Sequence, residues 1–149
     1  EGDLPGHYWD VELSLLEDAC NASPVGYNES LEYRVVYDLD DIEVAVGPDV
    51  FAVGTSSGCE VSYSTITWTE PREAGDVQWQ LRGAAKVQQG SGGGCEVQAP
   101  ISACPDVPAF AADWRGCEVF TIVSSEDPNV DPGCTYTVQL NGTYAGEKQ

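Results

Sequence analysis

The chain has 149 residues, which suits one domain, and it is strongly acidic: Lys and Arg number 6 against 25 Asp and Glu, for a formal net charge of −19. Binding to phosphates requires clustered Lys and Arg, so this composition argues against nucleic acid and against an anionic membrane surface as partners. No apolar run approaches the ~20 residues of a membrane-spanning helix. We therefore expect one acidic domain, residues 1–149, without a transmembrane segment.

The first half of the chain alternates apolar and polar residues with a period of two, which is typical of strands with one buried face. Trp9, Val11 and Leu13 share one face of the first such stretch, and similar stretches follow at 31–37 and 42–46. The pattern predicts three strands before residue 47.

Two local signals follow. Gly47-Pro48-Asp49 predicts a tight hairpin turn into the next strand, Val50–Val53. Between Tyr63 and Ile66 the apolar parity slips by one position. The slip predicts a β-bulge, or a strand that passes between two sheets.

The clearest strand is Asp76–Gln88, in which one parity is apolar or small and the other is polar. Its buried parity consists of Val77, Trp79, Leu81, Gly83, Ala85 and Val87. A glycine in the middle of a strand has no side chain to pack, so Gly83 predicts a bend or a close backbone approach.

The last third of the chain predicts two more long strands. Cys117–Ser124 is apolar on both parities, as in a strand buried on both faces, and Cys134–Tyr144 alternates cleanly. The proline-rich stretch at 100–116, which precedes both of these strands, is the longest irregular segment, with room for one helical turn at 110–114. Together these patterns predict an all-β antiparallel fold of eight to nine strands, closed as a barrel or folded as a sandwich.

The cysteines predict three disulfide bonds. The six are Cys20, Cys59, Cys95, Cys104, Cys117 and Cys134. An even number of widely spaced cysteines points to an oxidising location: extracellular, periplasmic or at the cell surface. If the strands run up and down in sequence, with one at Cys95–Ala99, the strand directions assign the cysteines to the two ends of the sheet. Cys59, Cys95 and Cys134 then lie at one end and Cys20 and Cys117 at the other, with Cys104 in the long loop. This order predicts the pairs Cys20–Cys117, Cys59–Cys134 and Cys95–Cys104.

A possible metal site lies in the acidic turn before the last strand. Asp127, Asn129 and Asp131 place oxygen-bearing side chains at alternating positions, as the start of a calcium loop does. Two prolines in the same turn favour the alternative, an ordinary acidic turn. Calcium is the one cofactor that the sequence suggests.

Catalytic motifs are missing from the sequence. His7 is the sole histidine, and the chain contains no G-x-S-x-G, no H-E-x-x-H and no C-x-x-C. We therefore expect a protein that is not an enzyme.

Four aromatic residues do not follow the buried parity of their surroundings: Tyr8, Trp68, Phe110 and Trp114. Such side chains can bind a sugar, a hydrophobic ligand or a partner protein. The alternative, which is commoner in small β-domains, is that they fill the core.

The two ends of the pattern resemble known β-domains. Gly6-His7-Tyr8-Trp9 opens the first strand, and Gly133-Cys134-Thr135-Tyr136 opens the last. The chain is similar to the β-domains of secreted bacterial lipoproteins and, more distantly, to lipocalin-type barrels.

The function predicted first is a non-enzymatic envelope or extracellular module that assembles with other protein subunits. The alternatives are a carrier of a small apolar ligand in a lipocalin-like cavity and a calcium-dependent adhesion module.

Overall fold

The structure, a computed structural model, describes residues 4–18, 28–90, 101–104, 107 and 112–149. In these ranges every regular element is a strand. The strands are β1 (Gly6–Asp18), β2 (Asn28–Asp38), β3 (Asp41–Val46), β4 (Asp49–Ser57), β5 (Glu60–Ser64), β6 (Trp68–Glu70), β7 (Val77–Val87), β8 (Trp114–Ser125) and β9 (Thr135–Lys148). The described part of the chain has no helix of the length and apolarity needed to cross a membrane.

Eight of the strands close into an antiparallel barrel. Strands β1 to β5 are successive neighbours, β5 pairs with β7, and β7, β8 and β9 lead back to β1. Closure pairs both edges of every barrel strand, which removes the open edges of a sandwich. The all-β prediction is confirmed, and the architecture is the barrel.

The ninth strand, β6, continues the line of β5 along β7. β5 pairs with residues 82–86 of β7, and β6 pairs with residues 77–79. The two strands are separated by Thr65, Ile66 and Thr67, which belong to neither. Between the pairs Ser64–Arg82 and Trp68–Trp79, three residues of this line face two of β7, which is the one extra residue of the predicted β-bulge. The alternative, a passage between two sheets, is wrong, because the described strands form one sheet.

The barrel interior holds the main hydrophobic core. Most of the alternating residues of β1, β2 and β9 that the sequence assigned to the buried face are inaccessible, among them Trp9, Val11, Val35, Val138 and Leu140. Others near the strand ends, such as Leu15, Leu31 and Tyr144, are half-buried. Burying a large apolar side chain contributes roughly 1.5–3 kcal/mol, so this face stabilises the barrel more than any surface contact does.

A second, smaller core lies on the outer face of β7 and β8. Ile101 and Val107 pack there against Ala84, and the Cys104–Cys117 disulfide fixes the segment, with a Cα–Cα distance of 5.8 Å. This cover explains why β8 is apolar on both parities near its start. The double burial ends before Val123, which is exposed.

The predicted disulfide pairing is wrong. Because Cys104 bonds to Cys117, the predicted pairs Cys20–Cys117 and Cys95–Cys104 cannot form. The error came from counting Cys95–Ala99 as a sheet strand between β7 and β8. Those residues and Cys20 lie outside the described residues, and β7 and β8 are direct antiparallel neighbours.

The same pairing places Cys59 and Cys134 at opposite ends of the barrel. The carbonyl of Cys59 accepts a hydrogen bond from Val87, and that of Cys134 accepts one from Ile122, which lies opposite Trp79. Val87 and Trp79 are separated by about 27 Å along β7, at ~3.4 Å per residue. Both cysteines are disulfide-bonded, but this distance excludes a bond between them.

Candidate ligand-binding site

One carboxylate lies inside the barrel. Glu118 occupies an interior position of β8 and is 1% exposed. The hydroxyls of Tyr33 on β2 and Tyr63 on β5 donate hydrogen bonds to its Oε2 at 2.8 and 2.7 Å. Its other oxygen, Oε1, accepts no hydrogen bond from the described residues. A buried charged group without a full set of partners is costly, so this oxygen marks a candidate binding site.

A glycine makes the Tyr63 contact possible. Gly83 on β7 lies opposite Tyr63 on one side and opposite Glu118 on the other. A Cβ atom at Gly83 would overlap the ring of Tyr63, so the ring passes directly over the bare backbone to reach the carboxylate. The sequence-based prediction of a close approach at Gly83 is confirmed.

Burial controls the ionisation of this group. Loss of hydration raises the pKa of Glu118 from 4.5 to about 7, although the hydrogen bonds from Tyr63 and Tyr33 favour the ionised form and lower the pKa. Burial also raises the pKa of Tyr63 well above its ordinary value, so that this hydroxyl keeps its proton and remains a donor. Both forms of Glu118 are therefore populated near neutral pH.

Glu118 lines a cavity of about 270 Å³ in the barrel lumen. Its apolar wall is formed by Leu13, Leu31, Val46, Phe51, Leu81 and Phe120. Two more carboxylates, of Glu29 and Asp49, line it where β2 begins and where the β3–β4 turn ends, and both residues are exposed. We call Glu29 and Asp49 the acidic rim. The cavity combines an apolar wall, an acidic rim and a buried carboxylate.

Aromatic side chains close the lumen on the other side of the tyrosines. Trp114 is fully buried, and its ring centroid lies 5.6 Å from that of Tyr33 and 6.3 Å from that of Tyr63. The ring of Trp9 packs against that of Trp114, with the two centroids 5.4 Å apart. Because Trp114 is part of this floor, it is not available to a partner protein, which removes it from the predicted interaction residues.

The other two predicted interaction residues have different outcomes. Trp68 is 36% exposed, stacks on Trp79 and meets the ring of Phe120, a cavity residue, edge-on at 6.3 Å. It therefore lies beside the cavity wall. Phe110 lies outside the described residues.

The acidic turn is held together by its own contacts. Asp127 Oδ1 accepts a hydrogen bond from the Asn129 backbone N–H at 2.9 Å, and Oδ2 lies 3.4 Å from Arg72 Nε. Asp131 is exposed, and no group of three or more potential metal ligands occurs among the described residues. Arg72 thus pairs with the carboxylate that a calcium ion would need as a ligand. Calcium binding stays a prediction.

The sequence analysis missed the three central residues of the site, Glu118, Tyr33 and Tyr63. One signal was present: Glu118 shares the parity of Phe120 and Ile122, so a charge stands at an interior position of a buried strand. For Tyr33 and Tyr63 the pattern predicted only a place in the core, because nothing local in the sequence links them to a carboxylate far away in the chain.

No protein-family model, no curated protein and no solved structure matches this chain. The resemblance to lipoprotein and lipocalin-type domains therefore stays a prediction.

Proposed function

We propose that this protein is a non-enzymatic carrier that binds one small ligand in the lumen of the barrel. The observation that carries the proposal is the cavity next to Glu118, with its apolar wall and the carboxylate oxygen Oε1, which accepts no hydrogen bond from the described residues. Binding sites for small molecules are typically apolar hollows with a few fixed polar groups. The volume of about 270 Å³ is just below the usual range of about 300–1,000 Å³, so the ligand is small.

The setting of the cavity supports this role. The site is built on paired strands of a closed barrel, and rigid elements hold binding groups more accurately than loops do. A disulfide on the outer face ties the segment at Cys104 to β8, one of those strands. We place the carrier in an oxidising location, outside the cell or in its envelope, where such a bond persists.

Three ligands and two matched variants test the proposal by calorimetric titration. The ligands are 2-phenylethanol, phenethylamine and phenylacetate. Leu31→Trp fills the cavity from its wall, whereas Glu32→Trp adds the same side chain at the next position, which is exposed. We expect at least one ligand to bind the unmodified protein and Glu32→Trp one to one, with a Kd below about 1 mM, and to lose its affinity for Leu31→Trp.

Two results would contradict lumen binding. One is that none of the three ligands binds the unmodified protein. The other is that Leu31→Trp binds as tightly as Glu32→Trp does, which would place the ligand elsewhere.

The module for assembly with other subunits, predicted first from the sequence, is the second candidate. It is favoured by β6, which pairs only with β7 among the described strands, and by Ile66 just before it, which is 85% exposed. An unpaired edge next to an exposed apolar side chain can add a strand from a second copy. Light scattering, which measures the molar mass in solution, tests this. Ile66→Lys should turn an oligomer into a monomer. Val53→Lys, which changes an exposed side chain of β4, should not. A monomer at every concentration of the unmodified protein would exclude self-assembly.

A further inference from the structure

We propose that the lumen selects an organic cation: a small apolar body that carries an ammonium group, which donates to Glu118 Oε1. This inference rests on the proposed function, because it names the chemical class of the ligand for the same cavity. It follows from three features: the hydrogen bonds of Glu118, the charges around the cavity, and the aromatic rings in its wall.

The hydrogen bonds define what the carboxylate still requires. Both tyrosine hydroxyls donate to Oε2, so that oxygen is satisfied, whereas Oε1 lacks a described donor. An ionised carboxylate only accepts hydrogen bonds, and an ammonium group only donates them. A charge-assisted N–H···O bond between the two is among the strongest that a buried site can form.

The charges of the cavity exclude the opposite class of ligand. The described lining residues include three carboxylates, of Glu29, Asp49 and Glu118, and no Lys or Arg. An anionic ligand would meet repulsion at the acidic rim and again at Glu118. The net charge of −19 acts in the same direction over a longer range, because it raises the local concentration of cations.

Aromatic rings near the carboxylate add a second attraction for a cation. Phe51 and Tyr33 both line the cavity with their ring centroids 5.4 Å apart. The faces of such rings attract a positive charge, and the attraction grows when water is excluded. The body of the ligand would pack on Leu13 and Leu81 in the same wall.

Protons compete with the ammonium group for Glu118. The ionisable groups that face the site are Tyr33 and Tyr63, which donate to the carboxylate, and the rim residues Glu29 and Asp49. Among the described lining residues, those from β1 and β7 are Leu13 and Leu81, and neither is ionisable. Because burial raises the pKa of Glu118 to about 7, affinity for an amine should fall as the pH drops below 7.

Matched ligands separate the contribution of charge from that of shape. Phenethylamine, 2-phenylethanol and phenylacetate share one aromatic body, and titration at pH 8 compares them on the unmodified protein, on Glu118→Gln and on Glu32→Gln. We expect the amine to bind about ten- to a hundredfold more tightly than the alcohol, which is the usual size of a hydrogen bond between charged groups. We expect Glu118→Gln to remove this preference and Glu32→Gln to keep it.

The outcomes distinguish this inference from the proposed function. If the alcohol binds in the lumen but the amine is not preferred, or if Glu118→Gln keeps the preference, the cation inference is overturned and the carrier proposal stands. If no probe binds, the carrier proposal itself fails. Binding of the alcohol to Glu118→Gln shows that this variant is folded, so loss of the amine preference reports on the carboxylate alone.

Discussion

The hydroxyl of Tyr63 lies 2.7 Å from Glu118 Oε2, and the side chain reaches it by crossing β7 above Gly83. Tyr33 approaches the same oxygen from β2. Strands far apart in sequence thus meet at one carboxylate in the barrel interior. This network fixes the orientation of Glu118, and Oε1 accepts no hydrogen bond from the described residues.

The first prediction concerns the bare backbone at Gly83. In Gly83→Ala the new methyl group would collide with the Tyr63 ring, so the ring must move and the hydrogen bond to Glu118 must lengthen or break. We expect a loss of about 1–3 kcal/mol in the free energy of unfolding, typical of overpacking, measured by urea denaturation. In a Tyr63→Leu background the same substitution should cost less, and an equal cost in both backgrounds would show that the two residues do not interact.

The second prediction is a pH dependence of stability. Burial raises the pKa of Glu118 above its value of 4.5 in the unfolded chain to about 7, so the folded protein binds the proton more tightly. The stabilisation from protonation is fully present below pH 4.5 and is lost as the pH rises through 7. It amounts to about 3 kcal/mol.

Glu118→Gln should remove this dependence. We expect the free energy of unfolding of this variant, relative to the unmodified protein, to rise by about 3 kcal/mol between pH 4.5 and pH 8. Glu32→Gln, which neutralises an exposed carboxylate on the outer face, is the matched control. If both variants follow the same pH curve, Glu118 is not the group responsible.

The third prediction concerns the disulfide on the outer face. The Cys104–Cys117 bond closes a short loop, with a sequence separation of 13, and its removal should lower the free energy of unfolding by about 3 kcal/mol. The double variant Cys104→Ala/Cys117→Ala should still bind ligand, because this small core lies outside the barrel lumen. A peptide map that links either cysteine to a different partner would refute the assignment.

The fourth prediction concerns calcium. Because Arg72 and the Asn129 N–H engage both carboxylate oxygens of Asp127, we expect added calcium to leave the melting temperature unchanged. Differential scanning fluorimetry with calcium and with a chelator measures this directly. A rise of several degrees with calcium that the chelator reverses would restore the predicted site at Asp127, Asn129 and Asp131.

Sequence periodicity predicted most of the fold, because burial of one strand face is a local property. The interior residues of β1 and β7, the Gly47-Pro48 turn and the close approach at Gly83 were all readable in this way. The disulfide pairing was not, because it depends on the direction of each strand. One strand counted between β7 and β8 reversed the direction assigned to β8 and β9.

The binding site was harder to predict than the fold. Glu118 is separated from Tyr33 by 85 residues and from Tyr63 by 55, and only closure of the barrel brings them together. No local motif encodes a network of this kind. The remaining signal, a charge on the buried parity of β8, indicates that something unusual occurs there but does not identify its partners.

The most direct test of the account follows the side-chain carboxyl carbon of Glu118 by NMR through a pH titration, with its signal assigned by its disappearance in Glu118→Gln. The account predicts a midpoint near 7 in the free protein and a lower midpoint when phenethylamine is bound, because the ammonium group favours the ionised form. A midpoint near 4.5 that phenethylamine does not change would contradict both the buried carboxylate and its role in binding a cation.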